Sequence, residues 1–309
     1  MNNRAIKRRR SGLTLVELLV VVMIITLLAS VALFAMFAAT ETAREARTRS
    51  MITRISDLII PIYESYRTRR VPIQIGLNTS PKAAAILRLD ALRELMRMEL
   101  PDRITDVNDP PVKLSTRPAL NQAYQRIVTA RSTGWGEANQ GSECLYMILS
   151  RIQDGDTNGL EFLRETEVDD TDGDGMPEIL DGWGKPIAFL RWAPGFLAQS
   201  ALQDGVHANG PDQFDPLGVR ADNDNDANVN GTPVTFSLYP LVFSAGADRE
   251  FGIATNSSGF RYSQTQPPNN PYSPSSADSN PDPKFGTPDT TTEAYLDNLH
   301  NHLQTSGLE

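Results

Sequence analysis

The stretch Asp170-Thr-Asp172-Gly-Asp174-Gly175-Met-Pro-Glu178-Ile-Leu-Asp181 sets carboxylates at alternate positions and follows them with glycine. Calcium takes roughly six to eight oxygens from a flexible loop, and this spacing lets a short segment wrap such an ion. Asp170, Asp172, Asp174, Glu178 and Asp181 are therefore candidate calcium ligands, with a solvated acidic turn as the competing reading. A second stretch, Asp154-Gly-Asp156-Thr-Asn158-Gly159 with Glu165 in twelfth place, has a comparable pattern, but Glu161 stands where an apolar residue belongs. It reads better as a loop between helices. Asp222-Asn-Asp224-Asn-Asp226 is a third acidic run, equally readable as a polar loop. No metalloprotease, serine-hydrolase, phosphate-loop or dinucleotide pattern occurs, and His207, His300 and His302 stand in loop-like or terminal sequence. Cys144 lies inside the apolar run Cys144–Leu149 and reads as a packing residue. These groups point to binding and assembly, not to catalysis.

The elements that position them begin at a polarised N-terminus. Five of the 29 basic residues (Arg4, Lys7, Arg8, Arg9 and Arg10) and none of the 38 acidic ones lie in the first twelve positions, so the remainder is more acidic than the net charge of -9 suggests. That balance argues against a nucleic-acid surface. With one cysteine the chain cannot form an internal disulfide, which leaves bound metal as a candidate staple for its loops. From Leu18 to Ala39 run 22 residues without a charge, which as helix span roughly 33 Å, enough for a bilayer core of about 30 Å. The basic leader keeps the N-terminus cytoplasmic and sends the rest outward. A cleavable signal peptide has a shorter apolar region, although Ala29–Ala32 offers a rough small-residue site. Glu17 sits at the mouth of the apolar run, where an ionised carboxylate is costly unless paired.

Taken together, Gly12-Leu13-Thr14-Leu15-Val16-Glu17 after a short basic leader resembles the type IV prepilin processing motif. The resemblance implies cleavage between Gly12 and Leu13 by prepilin peptidase, methylation of the new amine at Leu13, and neutralisation of a neighbouring subunit's amine by Glu17 during assembly. Leucine stands where phenylalanine is more usual at the first mature position. A plain signal anchor is the alternative.

Beyond Ala39 no Gly or Pro interrupts the chain until Pro61, and Ile52, Ile55, Leu58, Ile59, Ile62, Tyr63 and Tyr66 recur at helical spacing. The expectation is one helix from Leu13 to about Ile60, greasy first and amphipathic after. Further helices are expected over 81–100, with Ser80 as cap and Pro81 in the first turn, and over about 120–130 and 143–153. Met96, Met98 and Leu100 read as core. Strands are expected at 186–192, 235–243 and 251–254, a Pro/Ser/Asn-rich loop at 263–292, and a last short helix at 292–303. The fold class is α+β: a long N-terminal helix, transmembrane in its first half, packed on a small antiparallel sheet with a helical insert. The chain divides into a leader (1–12), a transmembrane half-helix (13–39), an amphipathic half-helix (40–70), the helical insert (71–160), a sheet-containing head with acidic loops (161–262), and a loop with tail (263–309).

Three shorter resemblances sit in the head. Asp181-Gly-Trp183-Gly184-Lys-Pro186 is similar to the D-x-W-G-x-P turn of major pseudopilins of type II secretion, Phe243-Ser-Ala-Gly-Ala-Asp248 to their S-A-G-x-D segment, and Asp297–Asn301 to their closing tail. The acidic stretch from Asp170 resembles thrombospondin type 3-like repeats more than an EF-hand. By the pseudopilin resemblance, Asp248 and Asp297 become further calcium candidates. The implied function is a filament subunit of a type II secretion system, held in the inner membrane with its head periplasmic, partnered by prepilin peptidase, other pilin-like subunits and the secretion machinery. A minor type IV pilin or surface adhesin, and an anchored calcium-binding module without a filament, are the alternatives.

Overall fold

A computed structural model of the chain describes residues 14–197, 199–203, 211–220, 236–255, 270–272 and 285–302. Two compact units divide at Arg44 and Glu45, and helix α1 (Leu15–Ser65) contributes to both. In the first unit its apolar side chains, from Leu15 through Phe37, are exposed. The hydroxyls in this stretch turn back on the helix: Thr26 donates to the Met23 carbonyl at 2.9 Å, Ser30 to Leu27 at 2.8 Å and Thr40 to Phe37 at 2.7 Å. Each of these hydroxyls thus has its hydrogen bonded within the helix, which suits a hydrocarbon environment. Helix α1 is long and apolar enough over one window to cross a membrane.

In the second unit α1 becomes one-sided. Met51, Ile52, Ile55, Leu58, Ile59, Tyr63 and Tyr66 are buried along a single face, as the spacing predicts, while Ile62 is only half-buried. The helix does not stop before Pro61 but runs through it for four more residues. A proline inside a helix removes one hydrogen bond and crowds the preceding turn. Here the continuation places Tyr63 and Tyr66 in the core. Tyr63 donates to the Leu238 carbonyl at 3.1 Å and packs edge-on to Phe214, and Tyr66 donates to Glu99 at 2.8 Å. Burying two tyrosine rings with satisfied hydroxyls outweighs the local defect.

Helix α2 (Pro81–Glu99) starts where Ser80 and Pro81 place it, with the Ser80 hydroxyl accepting from the Ala83 N–H at 3.3 Å. Helices α3 (Ile104–Asn108), α4 (Ala119–Arg131) and α5 (Gln140–Leu149) follow. Met96, Met98, Leu100 and Cys144 are all core residues, each at most 1% exposed. The last eleven residues of α2 are all buried although five are charged. Each charge has a fixed partner. Arg220 forks onto Asp90, Arg93 meets Asp212 at 2.9 Å, and Glu94 accepts three successive backbone N–H groups from Val112, Lys113 and Leu114. Arg97 reaches Asp106, and Glu99 takes Arg69 together with Tyr66.

The strands are short and antiparallel. Strands β1 (Gln153–Asp154) and β2 (Thr157–Asn158) form a hairpin, as do β3 (Val168–Asp169) and β4 (Glu178–Ile179). Strands β5 (Ala188–Leu190), β6 (Leu241–Ser244) and β7 (Leu299–His300) make the main sheet in the order β5-β6-β7. Helix α5 packs on β4 and β5. Two expectations are corrected here. The segment 251–254 supplies only an isolated bridge, Ile253 to Pro288. The terminal helix at 292–303 is instead a 3-10 turn (Ala294–Asp297) followed by β7, because Leu299 and His300 pair with Ser244 and Phe243.

His302 anchors the end of this sheet. Its Nε2 faces the Pro240 carbonyl at 3.1 Å, which can only accept, so Nε2 carries the proton and Nδ1 accepts from the Ser200 hydroxyl at 2.9 Å. Burial pushes its pKa down to about 3, and burial with Arg49 nearby takes His300 to about 4. Unfolded histidine titrates near 6.5, so the stability each contributes is complete above that pH and is lost as pH falls toward the folded value. Relative to His302→Gln, the unmodified protein should lose roughly 1 kcal/mol per pH unit below 6.5. Urea midpoints from pH 7.5 to 4.5, taken as the difference between the two proteins, cancel the other titrating groups; parallel profiles would remove His302 as the cause.

Candidate functional site

The β3–β4 hairpin holds the acidic loop at its tip, with Asp169 paired to Glu178 and Val168 to Ile179. Asp170 organises the loop: Oδ1 accepts from the Gly173 and Asp174 N–H groups at 2.8 and 3.1 Å, and Oδ2 from Gly175 at 3.0 Å. Asp174 ties the loop to the α4–α5 connection, where its Oδ2 accepts from Gly136 N–H at 2.6 Å and its carbonyl from Thr133 N–H at 2.8 Å. Gly175 has φ +92°, and a Cβ there would lie 2.3 Å from the Arg131 carbonyl oxygen, so no other residue fits this approach.

Two groups of carboxylates come together around this loop. Oxygens of Asp170, Asp172 and Glu178 lie within 4.8 Å of one another, and so do oxygens of Asp172, Asp174 and Glu143. Glu143, on α5, was not among the sequence candidates. It is fully buried, accepts from the Trp135 indole N–H through Oε2, and has Oε1 buried without a hydrogen-bond partner. Burial pushes its pKa up to about 9; the Trp135 bond opposes this and Asp174, Asp172 and Glu178 add to it. Burial also raises Glu178, against hydrogen bonds from Thr171 N–H at 2.8 Å and the Asn139 amide at 3.1 Å. The donor set is entirely oxygen, and suits a hard divalent cation.

Asp181 is not part of this group. Its Oδ1 accepts from the Trp183 and Lys185 N–H groups, both at 2.9 Å, and its Oδ2 from the Ser244 hydroxyl at 2.6 Å. In an extended chain, residues three apart face opposite ways; with Glu178 turned to the loop, Asp181 turns to the sheet. The stretch 154–165 does not gather its acids either, since it forms the β1–β2 hairpin and Asp154 pairs with Arg54 at 2.6 Å. Asp222, Asp224, Asp226 and His207 lie outside the described residues.

Asp181 and Ser244 join the D-x-W-G-x-P turn to the S-A-G-x-D segment. That segment is in turn held by the closing tail, because Asp297 Oδ2 accepts from Ala247 and Asp248 N–H at 2.9 and 3.1 Å. The Asp248 carboxylate accepts from Glu250 N–H at 2.8 Å. Asp248 and Asp297 are thus neighbours whose carboxylates bind backbone.

At the other candidate site, Glu17 occupies the third position of α1. Its carboxylate accepts from the Thr14 N–H at 2.8 Å and hydroxyl at 3.0 Å, while Thr14 Oγ1 accepts from the Glu17 N–H at 3.2 Å. This is a reciprocal capping box, and the spacing Thr14-x-x-Glu17 before an apolar run is its sequence signal. An argument from charge alone passes over it.

Residues 7–33 match the family described as "Prokaryotic N-terminal methylation motif". The chain carries a prepilin-type N-terminus. No curated protein and no solved structure matches the chain. The prepilin-type motif marks structural subunits processed by prepilin peptidase, not enzymes. The long helix and small antiparallel sheets behind it are consistent with an α+β pilin-like fold. Gly12 and Leu13, the processing residues of the prepilin-type motif, lie outside the described residues.

Proposed function

We propose that this chain is a pseudopilin of a type II secretion system, cleaved between Gly12 and Leu13, methylated at Leu13 and assembled into a filament through α1. The observation that carries the reading is the methylation motif at 7–33 running directly into one continuous helix, exposed and apolar at first and then buried on one face. Support for the secretion branch comes from the head. Three segments that resemble pseudopilin motifs are hydrogen-bonded in series through Asp181, Ser244 and Asp297, across separations of 63 positions (Asp181 to Ser244) and 50 positions (Ala247 to Asp297). In this reading the leader is cytoplasmic, the head periplasmic, and the partners are prepilin peptidase, other pilin-like subunits and secretion machinery.

Intact-mass and N-terminal analysis of protein recovered from membranes should give a methylated Leu13 start. An uncut Met1, or a start near Ala32, overturns the reading. Capture of secretion components, compared with surface labelling of whole cells, then separates a pseudopilin from a minor type IV pilin or surface adhesin. Finding the processed chain monomeric under all conditions would favour an anchored calcium-binding module instead.

A further inference from the structure

We infer that α5 completes a calcium site on the β3–β4 loop, with Glu143 as the buried ligand beside Asp172 and Asp174, and with Asp170 and Glu178 behind them. The acidic loop alone would be an ordinary solvated turn. What distinguishes it is a fully buried glutamate from another element, one of whose oxygens has no hydrogen-bond partner, brought to within 4.8 Å of two loop carboxylates. A buried carboxylate oxygen left unpaired is unfavourable, and its near neighbours are further carboxylates, which make matters worse. A divalent cation answers both at once. It supplies the missing partner for Oε1 and screens Glu143 from Asp172 and Asp174.

Calcium fits better than magnesium. The candidate ligands are five carboxylates drawn from a glycine-containing loop, a strand and a helix, and calcium accepts many anionic oxygens in irregular geometry, whereas magnesium demands a tight octahedron and retains water. Zinc is disfavoured by the absence of any sulfur or imidazole in the set. The inference does not depend on filament assembly and stands or falls separately from it.

The indole of Trp135, bonded to Glu143, provides a local antenna. Terbium added to the full-length chain in detergent micelles, after chelator treatment, should give saturable emission on tryptophan excitation, reversed by calcium. Glu143→Gln should raise the calcium concentration needed for reversal at least tenfold, and the exposed Asp172→Asn should do likewise. Asp156→Asn, in the β1–β2 hairpin, should leave it unchanged. In chelator, Glu143→Gln should melt no lower than the unmodified protein, because glutamine keeps an acceptor for Trp135 and removes a buried acid; in calcium it should lose the metal-dependent rise in melting temperature. The inference is overturned if calcium at millimolar concentration displaces no terbium, or if Glu143→Gln binds calcium as tightly as the unmodified protein.

Discussion

Glu17→Gln should be inserted and cleaved like the unmodified chain, yet enter filaments at least tenfold less. Two roles for Glu17 predict different outcomes. As a helix cap, the side chain needs only an acceptor oxygen for the Thr14 N–H and hydroxyl, and glutamine serves that purpose in a capping box. As the partner of a neighbouring subunit's methylated amine, it needs a negative charge, because an ammonium buried without a counter-ion is strongly disfavoured. Glu17→Gln therefore keeps the cap and removes the pairing. Glu17→Val removes both, and should match Glu17→Gln in assembly while also loosening the first turn of α1. The measurement is the fraction of processed subunit that sediments as filament, set against the fraction retained in membranes. Normal assembly of Glu17→Gln would leave Glu17 with the capping role alone.

Removal of one carboxylate from the head's interior should have the largest effect on stability. Arg97, Arg103 and Arg191 share Asp102 and Asp106, and all five side chains are at most 2% exposed. Asp106 bridges Arg191 at 2.8 Å and Arg97 at 3.4 Å, and accepts from the Asp102 N–H at 3.2 Å. Asp102 contacts Arg103 at 2.9 Å and accepts from the Arg191 N–H at 3.0 Å. Asp106→Asn preserves the shape and leaves three guanidiniums around one carboxylate. Breaking a buried ion network in this way costs about 3–5 kcal/mol, which for a domain of this size is a fall in melting temperature of roughly 10 °C or more. Replacing Asp106 and Arg191 together by leucine should be less damaging than the sum of the single changes. A shift in Asp106→Asn within about 0.5 kcal/mol of zero, the range of an ordinary surface change, would show that the network is not stabilising.

The two carboxylates of that network respond to pH with opposite signs, because burial raises the pKa of Asp106 against the pull of Arg191 and Arg97 whereas that of Asp102 is lowered. Burial opposes ionisation of Asp102, but Arg103 and Arg191 prevail and hold it down at about 2, below its ordinary 3.8. Its contribution is therefore complete above 3.8 and is lost as pH falls through the folded value. The Asp102 window, from 3.8 downward, lies below the pH 4.5 at which the His302 urea series ends, so the two effects are measured apart.

Local signals in the sequence are read correctly where the structure is local. Ser80 and Pro81 start α2 because cap and first turn are neighbours in the chain, and the face of α1 is legible because helical spacing is fixed by backbone geometry. What fails is whatever depends on a distant partner. The burial of the α2 charges has no local signal, because the groups that pair with them, Asp212, Arg220 and the Val112–Leu114 backbone, are all remote in sequence. Tail residues 299–300 carry no strand pattern of their own and become one only beside β6. Motif spacing nominates Asp181 and omits Glu143 for a related reason. It counts along one segment, whereas the cluster is assembled from a loop and from a helix about thirty residues earlier.

The ties inside the head have a bearing on its biogenesis. Asp90 waits for Arg220, Arg93 for Asp212, Asp106 for Arg191, and Pro240 for His302. A nascent chain emerging from its N-terminus would thus expose unmatched arginines and aspartates until its final strand arrives, and closure is a late, all-together event slowed by long loop searches. A copy clipped before residue 299 lacks β7 and the His302 anchor, and should be recognised by proteases as unfinished, so that only whole subunits persist.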